Sequence, residues 1–349
     1  MILSSAGLAG LTYGFIKAGQ DGWTDAVALG TIAAGAAVLV GLVAWERWLT
    51  GRNRAGAGGS LRGGVIRPLI ELRLFRSAGF TWGTILSTLV SFAMFGIFFA
   101  MPQYFQEVRG ADAMGSGLRL LPMIGGMVIG MIGSTRLASP RQAADGTASA
   151  PLASVKGLVT VGFAIMAVTL GFGATTTVSS GTGFAAAWFA VFGLGLGLAM
   201  PQTMNAALSA LSAETSGSGS ALISAMRQVG ATIGVAVLGT VLSSVYRSHL
   251  VVTGLPDAVA SAAKSSVVAG VAIAHQTGSV ALLDSVRHAF VTGMDTMLWA
   301  CAGIALASAI LAVIFLPRRT DGGAVSTANA GVAGNVPDVN GAERAELEA

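Results

Sequence analysis

The sequence predicts an all-α, polytopic integral membrane protein of about eight transmembrane helices. Over 349 residues it is 53% hydrophobic and only 10% charged, and its mean hydropathy is +0.73. Soluble domains carry roughly a quarter charged residues. The charges are also unevenly spread, with none between Arg76 and Glu107, Lys156 and Glu214, or Arg227 and Arg247. Each gap is at least as long as a span needs, roughly 17 to 25 residues. This pattern excludes disorder, collagen and coiled coil for the body of the chain.

Hydropathy read together with helix breakers places spans at 2–17, 26–48, 78–104, 115–136, 155–175, 183–206, 219–245 and 292–317. The first run, Met1 to Ile16, has no basic segment ahead of it and no small-x-small cleavage site after it, so it reads as a span and not a signal peptide. The uncharged stretch from Lys156 to Glu214 is too long for one crossing. The polar, β-branched turn ATTTVSSGTG divides it in two.

Four regions follow: two helices over 1–48, a basic linker over 49–77, a six-helix bundle over 78–317 with an outer segment at 246–291, and a tail over 318–349. The outer segment has a helix start at Pro256 and Asp257 and continues Ala- and Val-rich, which predicts surface helices over the mouth of the bundle. The tail mixes Gly, Asn, Asp and Pro without apolar periodicity, a composition expected to be disordered.

Orientation comes from the basic residues, which are retained in the cytoplasm. With an even number of spans and cytoplasmic termini, fourteen of the twenty Lys and Arg fall inside, including seven arginines between Arg47 and Arg76, and six fall outside. Both termini are therefore expected in the cytoplasm. The net charge of +4 belongs to this topology and not to a nucleic-acid partner. Seventeen Arg against three Lys, with abundant Gly and Ala, point to a GC-rich bacterial genome and so to the bacterial inner membrane.

Enzymatic and metal chemistry find no footing. Cys301 is the single cysteine, His249, His275 and His288 match no compact metal motif, and no Ser/His/Asp set or carboxylate pair can be assembled from neighbouring positions. No catalytic residue, metal or cofactor is expected. GLGLGLAMP from Gly193 and GGMVIGMIG from Gly125 lie within apolar spans, where small residues four apart let helix backbones approach closely. Pro122 and Pro201 fall inside spans and are expected to kink them.

The order and spacing of several strings resemble a known family. The span at 78–104 is entered through RPLIELRLFRSAGF and left through MPQYFQEVRGADAMGSGLRLLPM, and the span at 219–245 opens with SGSGSALISAMRQVGATIGVAVLGTVL. Together they resemble the fourteen-span drug:proton antiporters of the major facilitator superfamily, the EmrB/QacA type. The resemblance covers the C-terminal portion of that family: the two extra central helices and the six-helix C-terminal bundle. It implies proton-coupled export of amphiphilic drugs or metabolites, with the bilayer, the substrate, protons and an N-terminal six-helix half as partners. Such transporters place substrate between two bundles near the midplane, so the chain alone is not expected to transport. The alternative is a non-transporting membrane protein, either a regulatory partner of an exporter or an inert fragment.

Two residue groups are candidates for the site. Phe92, Phe95 and Phe99 share a helical face by their spacing, and in the family fold this helix borders the central cavity; the same residues also suit a lipid-facing surface. Arg227 and Gln228 lie in the first turns of their span, and Gln202 and Asn205 near the end of theirs. These four are expected to form an inner polar gate, unless Arg227 simply snorkels to the interface. Asp25, Glu46, Glu107, Glu214 and Asp295 are placed at helix margins or in loops.

Overall fold

The computed structural model describes residues 2–21, 25–55, 74–75, 77–139, 141–142, 148–149, 153–212 and 215–317. The described helices belong to one compact unit, residues 1–317. They run α1 Ile2–Asp21, α2 Ala26–Ala55, α3 Ala78–Gln103, α4 Ala113–Ala138, α5 Val155–Gly173, α6 Thr182–Leu208, α7 Ser216–His249, α8 Asp257–Ser265, α9 Val267–Thr277 and α10 Val280–Phe315. A π turn, Tyr104–Val108, follows α3, and a two-residue hairpin, β1 Arg141–Gln142 with β2 Ala148–Ser149, sits between α4 and α5.

Short polar side chains start the helices. Asp112 accepts from the Gly115 amide at 2.9 Å, Ser154 from Gly157 at 3.1 Å, and Ser279 from Leu282 at 3.2 Å. Each satisfies one of the amide donors that a helix leaves open at its N-terminus. Asp25 does the same for α2, its Oδ1 lying 2.7 Å from the Ala28 amide.

Six helices, α3 with its π turn, α4, α5, α6, α7 and α10, are long and apolar enough to cross a membrane. The sequence-based count of eight adds α1 and α2, which fall outside this set: Lys17 and several Gly and Ser dilute α1, and the described apolar stretch of α2 covers Ala26–Val38. These two helices pack along each other, and α1 also packs on α7.

Two boundaries differ from those read in the sequence. α10 begins at Val280 and not near 292, because Ser279 supplies a cap just after the left-handed Gly278, φ +64°. α2 continues to Ala55, into the stretch assigned to the linker. The rest of that linker from 56 to 73, Arg76, Glu214 and the tail from 318 lie outside the described residues.

In the bundle α6 packs between α4 and α5, α3 against α6 and α7, and α10 against α5 and α7. The contact of α4 with α6 is built from glycine. A Cβ at Gly126 would meet the Ala190 carbonyl, one at Gly193 the Met123 carbonyl, and one at Gly197 the Met127 carbonyl. The glycines at spacing four therefore serve helix packing, as their place in apolar spans predicts. α4 and α6 run without interruption through Pro122 and Pro201. After Pro102 the ladder widens into the π turn, while the Gln103 side-chain amide donates to the Phe99 carbonyl at 2.9 Å.

One end of the bundle is tied together by side chains. Tyr104 Oη donates to the Thr177 carbonyl at 3.1 Å and Arg109 Nη1 to Val178 at 2.9 Å, joining the α3–α4 and α5–α6 links. α9 packs on the π turn and on α10, so α8 and α9 lie at this same end.

Candidate functional site

Arg227 lies three turns into α7, half-buried. Its Nε donates to Ser91 Oγ on α3 at 3.2 Å, and its Nη1 lies 3.8 Å from the Met204 sulfur on α6. One guanidinium thus links three helices. Ser91 is itself buried and donates to the Ser87 carbonyl at 3.1 Å, which leaves its oxygen facing Arg227.

The other three residues of the predicted gate stand differently. Gln202 is buried between α6 and α4, with Nε2 2.6 Å from Ser134 Oγ and 3.3 Å from the Ser134 carbonyl. Its Oε1 has no partner among the described residues. Ser134 continues the Gly126, Gly130 spacing along α4, so Gln202 closes the glycine seam with a polar contact. Asn205 and Gln228 are exposed. The hydrogen bonds of Arg227 and Gln202 therefore run to other residues and not to each other. Ser91 and Met204 are the partners that sequence reasoning missed. Serines at 87 and 91, four apart in an apolar span, were the available signal.

The aromatic face divides in the same way. Phe92 is 9% exposed, and its backbone lies against Gly234 of α7, where a Cβ would come within 2.5 Å of the Phe92 carbonyl. Phe95 and Phe99 keep 39% and 37% of their surface. The Phe99 ring rests on Gly239, 3.1 Å from where its Cβ would be. Spacing puts all three on one side of α3, but close packing by α7 covers the first and leaves the other two available.

Asp295 is the second residue that the sequence misplaced. Because α10 begins at Val280, Asp295 sits four turns inside the helix and not at its margin. It is half-buried, and its shielded Oδ1 has no hydrogen-bond partner among the described residues. Among those residues no group of three or more His, Cys, Asp or Glu is placed to hold a metal ion.

Six long apolar helices, packed in part through glycine, describe a multi-pass membrane protein. The Major Facilitator Superfamily matches residues 4–235. The chain belongs to that superfamily. It is a multi-pass membrane protein of a transporter family, not an enzyme. It is 29% identical over 341 residues to the tetracenomycin C resistance and export protein of Streptomyces glaucescens, covering 92% of this chain and 56% of that protein. It is 29% identical over 290 residues to the multidrug efflux pump LfrA of Mycolicibacterium smegmatis, covering 81% and 53%. With the lincomycin resistance protein LmrB of Listeria monocytogenes it shares 28% over 250 residues, covering 72% and 47%. The chain thus spans about half the length of these relatives.

Proposed function

We propose that this chain forms the C-terminal side of a proton-coupled exporter of amphiphilic drugs or metabolites in a bacterial cytoplasmic membrane. The observation that carries the reading is a six-span bundle of the superfamily whose relatives are resistance and efflux proteins. In this reading α1 and α2 are two further spans beside α7, and both termini face the cytoplasm. The opposing six-helix side comes from further residues of the same protein or from a second chain, since superfamily carriers move substrate between two bundles.

Within the bundle, three groups take up the transport chemistry. Phe95 and Phe99 offer apolar and π surface to bulky substrates without demanding exact polar pairing. Arg227, held by Ser91 and beside Met204, pins α3, α6 and α7 at one level, where a gate between bundles has to open and close. Asp295 is a carboxylate inside a span, one of its oxygens without a hydrogen-bond partner among the described residues. Ionisable groups in such positions are expensive and usually functional, and we assign it a proton-carrying role.

The test is complementation. The chain is produced with an N-terminal six-helix half of one of the efflux relatives, and export of a lipophilic cation is followed in cells and in liposomes under a pH gradient. Gradient-driven export by the pair, absent with either half alone, supports the reading. No export by a correctly inserted pair, for any of a panel of amphiphiles exported by the intact relative, overturns it.

A further inference from the structure

The end of the bundle that carries α8 and α9 holds a cleft that shares Phe99 with the proposed substrate surface and is otherwise separate from the groups given a transport role. Its volume is about 350 Å³, and Phe99, Gln103, Arg247, Ser265, Ser266 and Phe290 are among the residues that line it. That is at the small end of the range for small-molecule sites, roughly 300 to 1,000 Å³. Phe99, 37% exposed, supplies the apolar surface, with the buried Leu242 and Phe290 behind the lining; Ser243, Ser265, Ser266 and Gln103 are its polar residues.

The wall opposite α3 is held firmly. Tyr246 of α7 is 2% exposed, and its hydroxyl lies 2.9 Å from the Ala263 carbonyl and 3.4 Å from that of Ser266, which pins the elbow between α8 and α9 onto α7. Beyond α7, the Val251 amide donates to Ser285 Oγ on α10 at 2.9 Å. On the other side Gly239 seats the Phe99 ring. The cleft is a formed feature of the packed helices.

Its charge has one sign. Arg247 supplies a guanidinium, and no carboxylate is among the lining residues. The Arg247 Nε is taken by the Ser243 carbonyl at 3.2 Å, and among the described residues nothing bonds Nη1 or Nη2. That leaves the two-pronged end of the guanidinium, the part that binds carboxylate or phosphate in a fork. A cation beside the exposed ring of Phe99 suits a molecule with an acidic head and a short apolar body.

We propose that this cleft binds an anionic amphiphile, its phosphate or carboxylate head on Arg247 and its apolar body against Phe99. The site needs no transport cycle, so it stands or falls separately from the export reading. Both an anionic lipid, through its headgroup and upper chain, and a free acidic amphiphile present this chemistry.

The experiment uses the full chain with Ser265→Cys in phosphatidylcholine nanodiscs and follows the rate of alkylation by a polar maleimide. Cys301 is wholly buried, so the rate reports the introduced thiol. Octyl phosphate is expected to slow alkylation at least fivefold, octyltrimethylammonium less than twofold, and Arg247→Gln to abolish the octyl phosphate effect. Slowing by phosphatidylglycerol discs without added probe identifies a lipid as the source; slowing by octyl phosphate alone identifies a free amphiphile. Ser243→Cys reads the same cleft from the α7 wall. Equal slowing by the anion and the cation, slowing that survives Arg247→Gln, or failure of octyl phosphate and phosphatidylglycerol alike to protect either thiol overturns the proposal. So does a cleft in which neither thiol reacts.

Discussion

At the scale of single residues, the neighbours of Arg227 make its role testable. Lys in its place keeps a charge and a flexible stem but loses the planar fork and the Nε that meets Ser91. In the complemented transporter, Arg227→Lys is expected to insert and accumulate normally while export falls several-fold, and Arg227→Ala to fall further, by about tenfold, near 1.4 kcal/mol. Efflux at matched protein level checks this; full activity of the Lys variant would leave Arg227 as an interfacial anchor. Asp295 calls for a different pair. Asp295→Asn is expected to remove gradient-driven export while substrate still binds, and Asp295→Glu to keep part of the export. Flux measured with and without a pH gradient separates the two. An Asn variant that still responds to the gradient would remove Asp295 from proton coupling.

At the scale of elements, the α4–α6 seam predicts opposite signs for one kind of substitution. At Gly197 an added methyl runs into the Met127 carbonyl, and backbone cannot yield as a flexible side chain does. Gly197→Ala is therefore expected to destabilise by about 1 to 3 kcal/mol, the usual range for overpacking. Gly125 lies on the same helix as Gly126 but has nothing within 4 Å of where its Cβ would stand. There Ala adds only helix propensity, and Gly125→Ala is expected to be neutral or to stabilise by up to about 1 kcal/mol. Thermal unfolding of the purified variants in detergent decides both. Gly125 and Gly126 look alike in GGMVIGMIG, and only the position of α6 tells them apart.

At the scale of the whole molecule, the distribution of basic residues predicts topology. Reporters fused after Arg76 and after Arg318 are expected to read as cytoplasmic, and one near Ala258, in α8, as external. An opposite signal at any of the three would show that the number of crossings before it is odd where eight spans require even, or the reverse. The same scale carries a prediction about activity. Chain purified alone into liposomes is expected to show no export under a pH gradient, because substrate is held between two bundles. Export by this chain alone would point to pairing of two copies.

What the sequence determined by itself is what depends on composition and period: membrane solvent, helical class, the long apolar segments and the use of glycine in packing. A bilayer leaves a spanning chain little choice beyond helices or closed barrels, so hydropathy and charge gaps suffice to find α3 to α7. Its reading of family also held at the level of the superfamily, since ordered strings survive where single motifs do not discriminate. Side-chain partners were beyond it. Gln202 and Arg227 both looked like gate residues on neighbouring helices, yet one turns to Ser134 on α4 and the other to Ser91 on α3, because the rotation of each helix about its axis is set by packing against all its neighbours. Asp295 moved from margin to interior because a serine cap at 279 extended its helix by twelve residues beyond the apolar run. The cleft beside Arg247 belongs to tertiary structure alone. It brings residues more than 150 positions apart in the chain to one place, and only the elbow pinned by Tyr246 makes it a site.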